Sequence, residues 1–286
     1  MTTAAKGIFS PIRVGTRPLI LVTNDDGIGS PGLYAAAEAV AGLGDLLLVA
    51  PATQQTAMSR AFVINPSAGV VERVTLEVAG CAVPAYAVSG SPAMAVVHAV
   101  LELAERPIRL CVSGINYGEN IGGAIGRSGT VGAAFEANAH GIPAIAAAIT
   151  AQVSEWRTFG TVDWTAARHF TRLLARQVLR HGMPEGVAVL NLNVPRGATT
   201  RTELRRTAQS EQPYYVSRGP GSARPLDQPY QFPVEVVVDW DRLEPGTDIH
   251  AIVHDQVASV TPLTWQMTAQ TDWIPPVGTE DRKSVV

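Results

Sequence analysis

The stretch Pro18-Leu19-Ile20-Leu21-Val22-Thr23-Asn24-Asp25-Asp26-Gly27 constrains the fold of this chain more than any other. An apolar run from Leu19 to Val22 breaks off into an amide, two adjacent carboxylates and a glycine. Short apolar runs bounded by turn residues are the signature of a strand buried on both faces. Gly27 suits the turn that leaves Asp25 and Asp26 at the strand's carboxyl end. Ser30 then reads as an N-cap and Pro31 as the first residue of a helix that Gly42 and Gly44 close. A second apolar run, Leu46 to Pro51, follows at once. Strand, helix and strand at this spacing form a βαβ unit, with parallel pairing and a right-handed crossover.

The alternation continues. Ser91-Pro92 caps a helix running through Ala104, and Ile108–Val112 reads as a third parallel strand. A helix over Val131–His140 and a strand over Ala144–Ile149 come next. They are followed by an amphipathic helix over Val162–Arg180 and a strand over Val187–Val194. Between Phe62 and Val88 short alternating segments predict a hairpin-like excursion. Beyond Pro195 the helical pattern stops, and strand-like pieces remain at Pro233–Val238, Ile249–Val253 and Val257–Leu263. The expectation is an α/β fold: a doubly wound, mostly parallel sheet with a β-rich C-terminal extension. Residues 1–17 are expected to be a flexible lead-in, 18–195 the core, and 196–286 the extension packed on it.

Composition excludes several functions. A net charge of −3 over 286 residues leaves no electrostatic footprint for a nucleic-acid polymer. The only lysines are Lys6 and Lys283, so neither a lysine nucleophile nor a phosphate-loop lysine is expected in the body of the fold. Cys81 and Cys111 each sit in an apolar, strand-like run and are expected to be core thiols outside any disulfide framework. No apolar run reaches the roughly 18 residues that span a bilayer, and no secretory signal precedes the core. A cytoplasmic protein is expected. His98 reads as an ordinary helix histidine. His250 and His254 bracket a strand-like Ala251-Ile252-Val253, which would hold them too far apart to share a metal.

Three loops converge on one predicted sheet edge: Asn24–Asp26, Thr53–Ser59 and Ser113–Thr130. In open parallel sheets, ligands bind beyond the carboxyl ends of the strands, where the strand order reverses. Two adjacent carboxylates there raise each other's pKa, and a divalent cation relieves the repulsion. The dipeptide alone is equally at home in a solvated Asx turn. The glycine-rich loop ending in Ser128-Gly129-Thr130 matches neither the dinucleotide nor the phosphate-loop fingerprint, yet it opens a capped helix, whose free N–H groups favour anions. Together the loops offer carboxylates, hydroxyls, amides and a helix start, with no His or Cys. That set selects a hard cation, Mg²⁺ or Mn²⁺, and points to phosphoryl chemistry.

These blocks resemble the SurE family, the stationary-phase survival proteins that act as metal-dependent nucleotidases. The resemblance is carried by Asn24-Asp25-Asp26-Gly27 with Pro31-Gly32, by Val49-Ala50-Pro51, and by Ser113-Gly114-Ile115-Asn116 with Gly118 and Asn120. Ser128-Gly129-Thr130-Val131, Leu190-Asn191-Leu192-Asn193-Val194-Pro195, Gly246-Thr247-Asp248 and Ser259-Val260-Thr261-Pro262-Leu263 extend it. It implies a Rossmann-like core, an extension used in homodimer or homotetramer contacts, a divalent metal, and release of phosphate from nucleoside monophosphates. It also implies metal ligands at Asp25, Asp26, Thr56 and Asn116, and phosphate contacts at Asn120, Ser128, Gly129 and Thr130, with Asn24 grouped among them. Asp25 and Asp26 are the implied catalytic pair, Asp25 being the one expected to orient or deprotonate the attacking water.

The sequence departs from the family pattern at Thr56, where serine is usual, and over Ala52–Gln55, which lacks the charges common there. Gly122-Gly123-Ala124-Ile125-Gly126-Arg127 replaces a stretch that often holds acidic residues and a tyrosine. Ala93-Met94-Ala95 stands where an acidic residue and a cysteine are frequent. No charged ligand is lost, but the substrate is left open. A phosphorylated specialised metabolite and a non-catalytic nucleotide- or phosphate-binding relative are the alternatives. Arg127 is either a solvated surface residue or the partner of a second anionic group on the substrate.

Overall fold

The computed structural model describes residues 17–269. Strands β1 (Leu19–Thr23), β2 (Asp45–Pro51), β3 (Val71–Val78), β4 (Cys81–Val88), β5 (Ile108–Tyr117), β6 (Ala144–Ile149), β7 (Val189–Val194), β8 (Leu204–Arg206) and β11 (Ala258–Leu263) form one sheet. Its order is β3-β4-β2-β1-β5-β6-β7-β11-β8. From β4 to β7 all neighbours pair in parallel, while β3 and β11 run antiparallel to their partners β4 and β7. A separate pair, β9 (Tyr214–Ser217) and β10 (Val234–Val237), is antiparallel.

Helices cover both faces. On one side α1 (Pro31–Val40) and α4 (Thr165–His181) pack over a core that includes Ile20, Val22, Leu48, Leu110 and Ile145. On the other, α2 (Pro92–His98) and α3 (Gly129–Ala139) pack over Leu21, Val49, Cys111 and Ala146. Successive strand residues point to opposite faces, so a strand between two helical layers must be apolar at every position. β1 satisfies this from Leu19 to Val22, and all five of its residues, Thr23 included, are buried. The chain leaves β1 toward β2 on one side and later adds β5 on the other. The point where the order reverses therefore lies between β1 and β5. The expected α/β, doubly wound and mostly parallel architecture is the observed one.

Several local expectations are corrected. β5 does not stop at Val112. It continues through Ser113-Gly114-Ile115-Asn116-Tyr117, every residue buried, with a register shift against β6 between Ser113 and Asn116. A buried central strand can hold glycine and asparagine because its neighbours and helices, rather than local propensity, secure it. The helix after Ser91 is α-helical only to His98 and ends in a π turn over Ala99–Leu103. α3 starts at Gly129, two residues earlier than its apolar pattern suggests, because Ser128 is its cap. The sheet also continues across residue 195, since β11 and β8 join its far edge beside β7. Cys81 is exposed at the start of the outer strand β4, so only Cys111 is a core thiol.

Of the expected lead-in, residues 1–16 lie outside the described residues. Arg17 is tied down, donating to the carbonyls of Ala41 at 2.7 Å and Gly44 at 2.8 Å. Ile249–Val253 is not a strand: His250–His254 forms a π turn that brings the two imidazoles to 4.6 Å between centroids. Both contact Asp255, which Arg205 also engages. The strand-based reason for keeping these histidines apart therefore fails, although their shared carboxylate is already paired with a guanidinium. His98 contacts Glu102 one turn along its helix, an ordinary helix-surface pairing.

Candidate active site

The β1 strand end is built by a turn that consumes Asn24. Its Nδ2 donates to the Gly27 carbonyl at 3.1 Å and to Ser30 Oγ at 2.5 Å, while Gly27 N–H donates back to Asn24 Oδ1 at 3.2 Å. Gly27 takes φ +100°, a conformation open to glycine at little cost. Ser30 Oγ in turn accepts from Leu33 N–H, capping α1. Asn24 is fully buried and forms no wall of the cleft described below, so its side chain does not lie where a phosphate contact was expected. An Asx turn was the available sequence signal for this role.

The turn presents Asp25 and Asp26 to opposite neighbours. Thr130, in the first turn of α3, donates its hydroxyl to Asp25 Oδ1 at 2.5 Å. Asp26 accepts from Tyr117 N–H at 3.2 Å, at the end of β5, and from Gln54 Nε2 at 3.0 Å. The start of α3 and Asp25 are in such close contact that a methyl group on Gly129 would stand 2.8 Å from Asp25 Cβ and 2.9 Å from its Oδ2. Only 3% of Asp25 and 5% of Asp26 is exposed. Burial pushes the Asp25 carboxyl well above the usual carboxylate range, with the Thr130 contacts pulling it back. Burial raises Asp26 as well, and the neighbouring Asp25 charge raises it further. Among the described residues only hydrogen bonds offset these shifts; no basic side chain does.

A small open cleft with a cavity volume of about 50 Å³ lies beside this pair. Of the expected residues, Asp25, Thr56, Asn116, Asn120 and Ser128 line it. Asp26, Gly129 and Thr130 stand just behind, touching the lining rather than forming it. Asn116 Nδ2 donates to the Gly118 carbonyl at 2.7 Å, which fixes the amide and leaves Oδ1 as its free ligand atom. Thr56 is carried by an exposed loop pinned at both ends. Gln55 N–H reaches the Asp25 carbonyl at 2.7 Å, and Ser59 N–H reaches the Arg127 carbonyl at 3.2 Å. Ser128 spends its hydroxyl on Val131 N–H, 3.1 Å away, as the N-cap of α3.

The Asn120 backbone is clamped by two strand residues: its carbonyl accepts from Asn191 at 2.8 Å and Asn193 at 3.2 Å, and its N–H donates to Asn193 at 2.7 Å. Its side-chain Nδ2, by contrast, is buried with no partner. Among the described residues Trp156 Nε1, on the same cleft, is equally unpartnered, while the Tyr215 hydroxyl stands beside the Glu119 carboxylate. Buried donors without acceptors are rare in folded proteins, and two around one cavity mark a place suited to an acceptor-rich ligand. Sequence reasoning missed Trp156 and Tyr215, because single aromatic residues far from any glycine or carboxylate motif read as core.

The donors near Asp25 and Asp26 are all oxygens: two carboxylates, the Asn116 amide and the Thr56 hydroxyl. They fit a hard divalent cation, whose charge would relieve the carboxylate pair that the protein leaves without a cation of its own. No helix among the described residues is long and apolar enough to cross a membrane. The family profile described as "Survival protein SurE" matches residues 20–215. The chain is 39% identical over 258 residues to the 5'-nucleotidase SurE of Thermococcus gammatolerans, covering 89% of this chain and 92% of that one. It is also 39% identical over 256 residues to the 5'-nucleotidase SurE of Methanocella arvoryzae, covering 87% and 93%. The crystal structure of the SurE protein from Aquifex aeolicus superposes with a TM-score of 0.68 at 27% identity, over 88% of this chain and 95% of that one. Sequence, fold and site geometry agree: this chain belongs to the SurE family.

Proposed function

We propose that this chain is a divalent-metal-dependent phosphomonoesterase that hydrolyses nucleoside monophosphates to nucleoside and phosphate. The observation that carries the reading is the meeting of Asp25 with the start of α3 through the Thr130 hydroxyl, beside Asp26 and at the point where strand order reverses. Asp25, Asp26, Asn116 and Thr56 would hold the metal, Mg²⁺ or Mn²⁺, which supplies charge neutralisation for the phosphoryl oxygens and lowers the pKa of a nearby water. Asp25 is the base: it orients the attacking water and takes its proton as the new P–O bond forms, and the departing nucleoside oxygen takes a proton from solvent as the ester P–O bond breaks. The backbone amides that open α3 beyond Ser128, with the Asn120 amide, meet the charge that spreads over the equatorial oxygens. Gly129 contributes by its lack of a side chain, Thr130 by holding Asp25, and Asn24 by fixing the turn. The names of the two archaeal relatives support this activity.

The same reading has residues 196–286 mediate homodimer or homotetramer contacts and the protein act in the cytoplasm. The test of the activity is phosphate release from a panel of nucleoside monophosphates and sugar phosphates with Mg²⁺, Mn²⁺ or chelator. Metal-dependent release from nucleoside monophosphates is expected. Release that survives chelation, or none from any nucleotide, overturns the reading.

A further inference from the structure

Arg127 closes the short 3₁₀ helix of Gly122–Arg127, directly before the Ser128 cap, and lines the cleft. It is half-buried, and among the described residues no carboxylate pairs with it. Its only other role in the contacts around it is a backbone one, accepting from Ser59 N–H. A guanidinium withdrawn partly from water without a counter-ion loses hydration and gains nothing inside the protein. Tyr215, whose hydroxyl stands beside the Glu119 carboxylate, lines the same cleft. Among the described residues the indole N–H of Trp156, against which Tyr215 packs edge-on at 5.0 Å, has no hydrogen-bond partner.

Glu119 lines the same cleft, and its carboxylate is already engaged by the Tyr214 hydroxyl, by Ala151 N–H and by the Tyr215 hydroxyl. The phosphoryl group undergoing hydrolysis has its own donors at Asn120 and the α3 start. The outer wall therefore holds, beyond these, a guanidinium with no ion pair and an unused indole donor, more than a neutral leaving group needs.

Resting on the reading of the protein as a phosphomonoesterase, we infer that the cleft takes phosphomonoesters carrying a second oxyanion, held by Arg127 with the Trp156 indole N–H. Arg is suited to this task, because its planar fork meets two oxygens of a phosphate or carboxylate at once. The second oxyanion is a specificity element and takes no part in the bond exchange at phosphorus.

The test compares pairs of probes that differ only in that group. Adenosine 3′,5′-bisphosphate is set against AMP for a second phosphate, and 2-phosphoglycerate against glycerol 2-phosphate for a carboxylate. Each is measured as kcat/KM with Mn²⁺, and as Kd by calorimetry in EDTA, where no turnover occurs. The wild-type chain should favour the doubly anionic member of at least one pair by about tenfold in both readouts, the size of one charge-assisted contact. Arg127→Gln should bring that ratio to within about twofold of unity, and Arg127→Lys should restore only part of it. No preference in either pair overturns the inference. So does Arg127→Gln weakening both members equally, which would assign Arg127 to the reacting phosphoryl group instead. A binding preference that Arg127→Gln abolishes in a chain that hydrolyses nothing would uphold the subsite and sink the phosphatase reading.

Discussion

At the inner end of the cleft each carboxylate has donors of its own: Thr130 for Asp25, Tyr117 and Gln54 for Asp26. At the outer wall the Trp156 indole N–H is buried without an acceptor and Arg127 has no carboxylate partner among the described residues. The inner groups are acceptors placed to high accuracy and short of positive charge. The outer groups are donors short of acceptors. In the function proposed above a metal answers the first deficit and an anionic ligand the second, which makes the two regions complementary halves of one proposed phosphate site. The inner half is set by backbone and secondary structure, with β1, β5 and α3 meeting at fixed register. The outer half depends on side chains from segments as distant as Trp156 and Tyr215.

The difference can be broken most severely at the inner end. Asp25→Asn and Asp26→Asn should each lower metal-dependent phosphate release by roughly 10³-fold, since each removes charge from the metal and from the proton-accepting position. Near-normal release from either variant would remove it from the catalytic role. Gly129→Ala places a methyl 2.8 Å from Asp25 Cβ. Either the strand end or α3 must then move, and activity should fall about 10²-fold with a stability loss of about 1–3 kcal/mol by denaturant titration. Full activity in Gly129→Ala would show that Asp25 tolerates displacement. Thr130→Val keeps the shape and deletes the hydroxyl. It should cost about tenfold in kcat/KM and move the acid limb of the pH profile upward, because Asp25 then loses the contact that lowers its pKa.

The carboxylates also predict an unusual pH response. Asp25 and Asp26 are raised by burial, and Asp248 is pushed up to about 6 by the same cause. Groups that hold protons more tightly when folded stabilise the native state below their unfolded pKa and lose that contribution as pH rises through the folded one. The melting temperature of metal-free protein should therefore fall between about pH 5 and pH 8, and saturating Mn²⁺ should flatten the decline by stabilising the ionised pair. A metal-free melting temperature that rises over that interval would contradict the burial argument. The smallest effect is expected at the outer wall: Trp156→Phe removes a donor that has no partner, so stability should hold or rise slightly. A clear loss of stability would show that the indole N–H is satisfied in the free protein.

Much of the inner half was legible because its signals are local. An apolar run ending in Asn-Asp-Asp-Gly, a Ser-Pro helix start and a Ser-Gly-Thr cap each announce their conformation within a few residues. The doubly wound sheet followed from the spacing of those runs. The continuation of β5 through Ser113–Tyr117 was hidden, because glycine and asparagine are poor strand formers and only the flanking strands and helices secure them. The addition of β11 and β8 to the far sheet edge left no nearby signature, since β11 pairs with β7 across more than 60 residues of chain. The π turn at His250–His254 carries an apolar alternation that imitates a strand. Asn24 was grouped with the phosphate contacts although an asparagine three residues before a glycine also builds an Asx turn, and the structure gives it that second task. Trp156 and Tyr215 were invisible as site residues because they reach the cleft only through the folding together of distant segments.

The central claim is that Asp25 and Asp26 share one divalent cation at the start of α3. Calorimetric titration of Mn²⁺ into the purified chain and into the Asp25→Asn, Asp26→Asn double variant tests it most directly. One Mn²⁺ per chain in the wild type, abolished in the double variant while its fold persists by circular dichroism, is the predicted result. Equal Mn²⁺ binding by both proteins would contradict it.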